Sequence, residues 1–387
     1  MSFLFYVKKL LSIALIFSVL SIIFVPVNAQ ETDKFDLELE CESAVLMEAT
    51  TGTVLYEKNP DKALPPASVT KIMTLLLIMQ EIEHGRLKYT DTVTTSAYAA
   101  SMGGSQIFLK EGETMTVEDM LKSVVIASAN DAAVALAEHV SGSEEAFVKR
   151  MNEQAALLGM SNTNFENTNG LDDTATNHVT SAKDIALMSR ELLKHEDILK
   201  YSSTWMDTIR NGEFTLTNTN RLVRFYQGAT GLKTGSTSKA KFCISATAKR
   251  GNMHLICVVM GAPSSDVRNS IATKLLNWGF ANYELFTHQA TELHPLKVNG
   301  GVEGYCRILC NEFSSIVPKG SIASVEKKYV IPDSINAPVN CEDEIGYIEY
   351  RIGNELIGKS PIISATSIEK IDYWTLFVKI LSKFLIK

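Results

Sequence analysis

Two residues suited to acyl transfer stand three positions apart in the segment PPASVTKIMT at residues 65–74. On a helix, Ser68 and Lys71 would share one face. A serine hydroxyl becomes a good nucleophile only when a base removes its proton, and a lysine is such a base once burial lowers its pKa. The apolar residues that follow supply that burial, so the spacing predicts Ser68 as nucleophile and Lys71 as general base. Taken alone, the motif also fits an ordinary helix surface.

Two further triplets carry groups that such a site needs. Ser128-Ala129-Asn130 offers a hydroxyl and an amide, and Lys233-Thr234-Gly235 offers a cation, a hydroxyl and a residue without a side chain. Each triplet alone also fits a helix cap or a solvated strand start. The three motifs in this order, on a helix start, an interhelical turn and a strand, predict one acyl-transfer site.

The elements that position these motifs mix helices with antiparallel strands. Residues 44–59 and 242–261 predict hairpins, with turns at Thr51-Gly52 and near Arg250. Nearly continuous apolar residues predict a buried helix at 68–85 that ends at Gly85. Further helices are predicted at 117–127, 131–140, 144–158, 181–195 and 267–285. Because no βαβ rhythm appears, the predicted fold class is α+β.

The two ends of the chain differ in character from the middle. The apolar run after Lys8 and Lys9 predicts a signal peptide at 1–29, with an uncleaved membrane anchor as the alternative. From about residue 290, short alternating strands predict a small all-β domain. The predicted organisation is a signal peptide at 1–29, a catalytic domain at 30–288, a β-rich domain at 289–365 and an amphipathic membrane-anchor helix at 366–387. A terminal helix docked on the protein's own core is the alternative for the last segment.

Composition limits the classes of function. The chain has 387 residues and a formal net charge of -7, which argues against a nucleic-acid partner. The seven histidines and six cysteines match no metal-binding pattern, and no cofactor is predicted. Cys243 and Cys257 would face each other across the second hairpin, so a disulfide is one alternative and free buried thiols are the other.

From about residue 40 to 365 the sequence resembles a low-molecular-weight penicillin-binding protein, a serine D-Ala-D-Ala carboxypeptidase. Besides the triplets, GLDDTATNHVTSAKDIA at 170–186 and GLKTGSTSKAKFCISATAKR, which begins at Gly231, are similar to segments of that family. The resemblance implies a penicillin-binding/β-lactamase-like catalytic domain, in which an antiparallel sheet packs with a helical cluster. A small C-terminal all-β domain and a terminal amphipathic helix also fit the family's architecture.

The resemblance also implies a role for each motif residue. Ser68 would be acylated, Lys71 would take its proton, and Ser128 would relay a proton to the leaving amine. The substrate would be held by side chains and backbone of Asn130, Lys233, Thr234, Gly235 and Ser236. The oxyanion hole would be formed by the backbone N–H groups of Ser68 and Ser236. His178 and Asp184 match family positions and are interpreted as structural.

The implied function is removal of the terminal D-alanine from peptidoglycan stem peptides, with β-lactam antibiotics as covalent inhibitors. The implied location is the outer face of the cell membrane or the cell wall, with the C-terminal helix on the membrane surface. A serine β-lactamase, for which Glu166 would be the deacylating base, is one alternative. A non-catalytic wall-binding module and a transpeptidase are the others.

Overall fold

The computed structural model describes residues 38–173 and 175–385, with side chains described up to residue 382. The predicted signal peptide at 1–29 lies outside these residues. The predicted domain boundaries at 288/289 and 365/366 stay predictions.

Among the described residues, five antiparallel strands form the main sheet in the order β2-β1-β5-β4-β3. These strands are β1 (Ser43–Glu48), β2 (Val54–Lys58), β3 (Ala229–Thr237), β4 (Lys241–Arg250) and β5 (Met253–Ala262). The β1–β2 and β4–β5 pairs confirm the two predicted hairpins. β3, which carries Lys233, Thr234 and Gly235, is an edge strand of this sheet.

Helices pack on the sheet and on one another around a large apolar core. The longer helices are Lys71–Glu83, Val117–Ile126, Asn130–Ser141, Glu144–Leu157, Ala182–Leu192 and Ser265–Asn282, and the shorter ones are Ala97–Ala100, Ile198–Ser202 and Leu222–Phe225. We call Lys71–Glu83 the central helix, because Ile72, Leu76 and Ile78 in it are all fully buried. Two small two-stranded antiparallel sheets complete this part: Thr92–Thr94 with Thr114–Thr116, and Met206–Ile209 with Phe214–Thr217.

Local sequence explains where several helices begin and end. The Thr116 hydroxyl accepts a hydrogen bond from the Asp119 N–H, and Ser181 caps its helix in the same way. Gly142 ends its helix in the left-handed conformation that glycine adopts without steric cost.

Three expectations from the sequence need correction. Ser68 does not begin the central helix but lies on a preceding 3₁₀ turn, Ala67–Thr70. The helix predicted at 267–285 ends at Asn282, because Tyr283–His288 is a strand that pairs with Phe313–Pro318. The disulfide alternative is wrong, because the hairpin register sets Ala246 opposite Cys257, and all six cysteines, which fall within the described ranges, are free thiols.

The C-terminal part of the chain is all-β around its own apolar core, with Ile348 and Tyr350 at its centre. Its strands are Tyr283–His288, Thr291–Glu292, Leu296–Asn299, Tyr305–Cys306, Ile308–Cys310, Phe313–Pro318, Val325–Val330, Ser334–Asn336, Glu344–Ile352 and Glu355–Ser364, and a 3₁₀ turn spans Ile322–Ser324. The structure thus consists of an α+β part followed by an all-β part, which confirms the predicted fold class.

The terminal helix spans Tyr373–Leu385. Ile368, before it, is 2% exposed and pairs with Val339, so the chain leaves the all-β core only after that residue. Large apolar side chains project from the helix into solvent: Trp374 is 72% exposed and Val378 62%. The helix is thus not docked on the protein's own core through these residues. Within the described ranges, no helix has both the length and the apolar character needed to cross a membrane.

Candidate active site

The Ala67–Thr70 turn brings Ser68 and Lys71 together. Side chains three residues apart eclipse each other in a 3₁₀ turn, and the Nζ atom of Lys71 lies 3.0 Å from the Oγ atom of Ser68. Ser68 is half-buried, whereas Lys71 has no exposed surface. The predicted pair therefore forms, on a tighter turn than expected.

Lys71 has two further partners, and both can only accept hydrogen bonds. Its Nζ atom lies 2.6 Å from Oδ1 of Asn130 and 2.7 Å from the backbone carbonyl oxygen of Asn169. The Asn130 side chain is oriented this way because its Nδ2 donates to the Gly103 carbonyl at 2.7 Å. A neutral amine has two N–H bonds and one lone pair. With both N–H bonds used on these acceptors, the lone pair faces Ser68.

The surroundings also favour a neutral Lys71. Burial lowers its pKa well below the ordinary lysine value, and the nearby Lys233 cation lowers it further. Asp131 acts in the opposite direction, but its carboxylate already accepts hydrogen bonds from the backbone N–H groups of Ile107 and Leu109. The site thus holds the amine that a serine nucleophile requires.

Ser128 occupies the turn between two helices and is 4% exposed, with a positive φ of 63°. Asn130 begins the following helix, so the motif spans a turn and a helix start. No hydrogen bond joins the Ser128 hydroxyl to Lys71 or Lys233 in the described part of the chain. Among the described residues, Asn130 is therefore hydrogen-bonded to Lys71, whereas the hydroxyl of Ser128 has no hydrogen bond to the Ser68–Lys71 pair.

β3 supplies a second cation. Lys233 is 1% exposed, and its Nζ donates to the Thr234 carbonyl at 2.9 Å. Burial, together with the cationic Arg268, lowers the pKa of Lys233 to about 7. Arg268 is 5% exposed and lies on the Ser265–Asn282 helix, far along the chain, and sequence reasoning missed it because no motif includes it.

The glycine of this motif is required by close packing. A Cβ atom on Gly235 would stand 2.8 Å from the backbone nitrogen of Ser68 and 2.9 Å from the Pro66 carbonyl oxygen. β3 therefore abuts the Ser68 turn with no room for a side chain. Ser236, the next residue, is exposed at the end of this contact.

Thr219 is another residue that sequence reasoning missed. The Thr234 hydroxyl lies 2.7 Å from the Thr219 hydroxyl, and the Thr219 N–H donates to the Ile126 carbonyl at 3.1 Å. Thr219 thus links β3 to the helix end that precedes Ser128. The signal available in the sequence was the asparagine on either side of Thr219, because asparagine amides often fix loop backbones. In the structure Asn218 and Asn220 are both buried and bind backbone carbonyls.

The loop at 166–172 closes another side of the site. Glu166 is exposed, and its carboxylate accepts hydrogen bonds from the backbone N–H groups of Thr176 and Asn177, which lower its pKa. Its carboxylate is therefore engaged by the backbone of this loop, and within the described residues it has no hydrogen bond to Ser68. Asp184 accepts from Asn162 N–H and the Thr163 hydroxyl, a role within the loops rather than at the reacting atoms.

Family models match both parts of the chain. The model for D-alanyl-D-alanine carboxypeptidases of peptidase group S11 matches residues 28–264. The model for the C-terminal domain of penicillin-binding protein 5 matches residues 291–370.

Curated relatives match over most of their length. The D-alanyl-D-alanine carboxypeptidase DacF of Bacillus subtilis is 44% identical over 95% of this chain and 96% of its own. DacC of Escherichia coli, also a D-alanyl-D-alanine carboxypeptidase, is 32% identical over 86% of this chain and 85% of its own.

Solved structures share the fold. Penicillin-binding protein 5 from Haemophilus influenzae superposes with a TM-score of 0.77 at 31% identity, covering 86% of this chain and 98% of its own. Penicillin-binding protein D2 from Listeria monocytogenes, solved with ampicillin bound, gives a TM-score of 0.59 at 33% identity, covering 63% of this chain and 99% of its own. Together with the site geometry, these matches confirm the resemblance seen in the sequence: the chain belongs to the D-alanyl-D-alanine carboxypeptidase family.

Proposed function

We propose that the protein is a serine D,D-carboxypeptidase that removes the terminal D-alanine from peptidoglycan stem peptides. The observation that carries the proposal is the buried Lys71 amine, which lies 3.0 Å from the Ser68 hydroxyl oxygen and between two groups that only accept hydrogen bonds. Its lone pair is therefore available for the serine proton. Membership of the family supports the same reaction.

Acylation begins when Lys71 takes the hydroxyl proton of Ser68. The Oγ atom then attacks the carbonyl carbon between the last two D-alanines, and the carbonyl oxygen becomes an oxyanion. As the C–N bond breaks, a proton passes through Ser128 to the leaving D-alanine amine. Water later hydrolyses the ester on Ser68. These steps need no metal or organic cofactor.

Substrate recognition is assigned to β3 and to Asn130. Protonated Lys233 and the Thr234 hydroxyl bind the terminal carboxylate, and Asn130 binds the peptide amide. The backbone N–H groups of Ser68 and Ser236 form the oxyanion hole. The close approach of Gly235 to the Ser68 nitrogen supports this arrangement, because it brings β3 beside the attacking serine.

β-Lactams are proposed to acylate the same serine and to leave it slowly. A β-lactamase needs a carboxylate that activates water against the ester, and Glu166 is instead bound to backbone N–H groups. We therefore expect a penicilloyl adduct that lasts minutes or longer. Intact-mass spectrometry after a penicillin pulse measures this lifetime, and loss of the adduct within seconds would favour a β-lactamase.

The decisive assay measures D-alanine released from a peptide ending in D-Ala-D-Ala by the chain from residue 30 onward. The parent is expected to release D-alanine and to be labelled by fluorescent penicillin, and Ser68→Ala is expected to lose both while keeping its fold. Labelling that persists in Ser68→Ala would contradict the assignment.

We also propose that the protein is exported and is held on the outer face of the cell membrane by the Tyr373–Leu385 helix. Exposed apolar side chains such as Trp374 and Phe377 support this, because each contributes about 1.5–3 kcal/mol when buried in the interface. Deletion of residues 373–387 should release the protein from vesicles with no loss of D-alanine release. If the shortened protein still pellets with vesicles, another segment is the anchor.

A further inference from the structure

A chain of hydrogen bonds runs from a loop backbone to the turn that carries Ser68. The Glu166 N–H donates to Nδ1 of His178 at 3.0 Å, and Nε2 of His178 lies 2.7 Å from the Thr70 hydroxyl oxygen. The Thr70 hydroxyl donates to the Ala67 carbonyl at 2.8 Å. His178 is 5% exposed and Thr70 is fully buried, so water does not compete for these bonds.

The hydrogen-bond partners of the two ring nitrogens of His178 require the same tautomer. The hydrogen of the Thr70 hydroxyl is used on Ala67, so Thr70 must accept a hydrogen bond from Nε2–H of His178. Nδ1 accepts from Glu166 and therefore carries no proton. The imidazole is neutral with its proton on Nε2, and burial, which lowers its pKa to about 4, agrees with this.

The last acceptor in this series of hydrogen bonds, the Ala67 carbonyl, belongs to a strained part of the Ser68 turn. Ala67 has a φ of 49°, in the left-handed region that residues with a Cβ atom rarely adopt. Its carbonyl is also in close contact with the loop, because a Cβ on Gly170 would stand 1.9 Å from that oxygen. The neighbouring Asn169 carbonyl binds Lys71 at 2.7 Å. The loop at 166–170 therefore contacts Lys71 directly, through Asn169, and packs against Ala67, the residue before Ser68.

We propose that His178, acting through Thr70, is a positioning residue that fixes the Ala67 turn and thereby the Ser68 hydroxyl relative to Lys71. The proposal rests on the proposed role of Ser68 as nucleophile. His178 contacts Thr70, Glu166 and the ring of Phe165, and none of the reacting groups. Its loss should therefore slow acylation without weakening the non-covalent binding that precedes it.

Two substitutions separate the two ends of the imidazole. The amide nitrogen of His178→Gln reaches the place of Nε2 and can donate to Thr70. The amide of His178→Asn reaches only the place of Nδ1, beside the Glu166 N–H. We expect His178→Asn to slow acylation by saturating penicillin about tenfold, with the dissociation constant within about twofold, since sub-ångström misplacement of reacting groups has effects of this size. His178→Gln should recover most of the rate.

Thr70 provides a second route to the same test should His178→Asn fold poorly. Thr70→Val should match His178→Asn, Thr70→Ser should behave as the parent, and the double variant should lose no more than either single one. Equal acylation rates in the parent and in Thr70→Val would overturn the proposal.

His254 on β5 is a matched control. Its Nε2 lies 2.9 Å from the Thr230 hydroxyl, and burial lowers its pKa to about 4, as for His178. His254→Asn removes a similar pair and should leave acylation unchanged. An equal loss of rate in His254→Asn would assign the effect to general destabilisation and overturn the proposal. A parent that penicillin does not acylate at Ser68 would instead overturn the proposed function.

Discussion

The central helix buries a basic side chain at its first residue and an acidic one near its last, and the two have different surroundings. Near its end, Glu81 is 7% exposed and accepts hydrogen bonds from Arg86, at 2.6 Å, and from Arg150. Its first residue, Lys71, meets an amide oxygen, a carbonyl and a hydroxyl, with another cation nearby. Arg86 and then Arg150 lower the pKa of Glu81 to about 2, whereas burial lowers the pKa of Lys71.

The two shifts have different meanings. A low carboxylate pKa shows that the folded protein stabilises the charged group, which is the mark of a structural ion pair. A low lysine pKa shows that the folded protein disfavours the charged group, and such uncompensated burial is concentrated at functional sites. In this helix, the partners of a buried ionisable side chain, rather than its burial, therefore distinguish a structural ion pair from a group suited to catalysis.

The largest effect expected from this contrast is on Lys71. Lys71→Ala should slow acylation by fluorescent penicillin at least about 10²-fold, the low end for loss of a general base. Its free energy of unfolding should fall by no more than about 3 kcal/mol, because the substitution leaves the Asn130 and Asn169 oxygens without this donor but also removes a poorly solvated amine. Stopped-flow labelling and urea unfolding measure the two quantities. Labelling at the parental rate would show that Lys71 is not the general base.

Glu81→Gln should lower stability and leave the acylation rate unchanged. Its free energy of unfolding should fall by about 1–3 kcal/mol, because an amide satisfies the two arginines less well than a carboxylate does, while acylation stays at the parental rate. Because the pKa of Glu81 is lowered, its contribution is present above the ordinary pKa of 4.5 and is lost as pH falls through about 2. The difference in stability between parent and variant should therefore shrink over that range, which urea unfolding at several pH values measures. A difference that did not change with pH would contradict the ion pair.

Lys233 allows a test by pH within the site. Its pKa of about 7 means that it is charged below that pH and loses its proton above it. kcat/KM for a D-Ala-D-Ala peptide should therefore fall on the alkaline side of the pH profile. One pH unit above the pKa of Lys233, the fall should be about tenfold. In Lys233→Arg this limb should disappear, because guanidinium stays protonated, whatever the level of the remaining activity. An unchanged alkaline limb in Lys233→Arg would assign it to another group.

The smallest effect is expected where no charge is involved. Thr219→Val removes the hydroxyl that lies 2.7 Å from Thr234, and one neutral hydrogen bond corresponds to about a fivefold fall in kcat/KM. Thr219→Ser should restore the rate. Thr217→Val, an exposed substitution two residues earlier on the same segment, is the matched control and should have no effect. A loss as large in Thr217→Val would point to the loop as a whole.

Sequence reasoning succeeded where the information is local. The Ser68–Lys71 spacing, the end of the central helix at Gly85 and the two hairpins follow from neighbouring residues, and the structure agrees with them. It failed at the helix predicted to run to residue 285, because the pairing of Tyr283–His288 with Phe313–Pro318 is a tertiary contact.

The site shows the same division. The motifs supplied Lys71, Asn130 and Lys233, but the third partner of Lys71 is a backbone carbonyl of Asn169, which no residue type reveals. Thr219 and Arg268 were missed because they reach β3 from segments that are separate in the chain. The 3₁₀ turn at Ser68 was missed because the positive φ of Ala67 depends on a carbonyl contact with Thr70 and on packing against Gly170.

The position of β3 at the edge of the main sheet has a consequence for aggregation. An edge strand with free backbone groups invites the strand of another protein to pair with it, and many proteins protect such edges with charge or proline. Here Gly231 to Gly235 are buried although the strand is at the edge, because the Ser68 turn and the short helices at Ile198–Ser202 and Leu222–Phe225 lie against it. These packed elements thus leave little room for the strand of another protein along Gly231 to Gly235. Substitutions that loosened this packing would expose β3 as a template for self-association, so selection for solubility should preserve it.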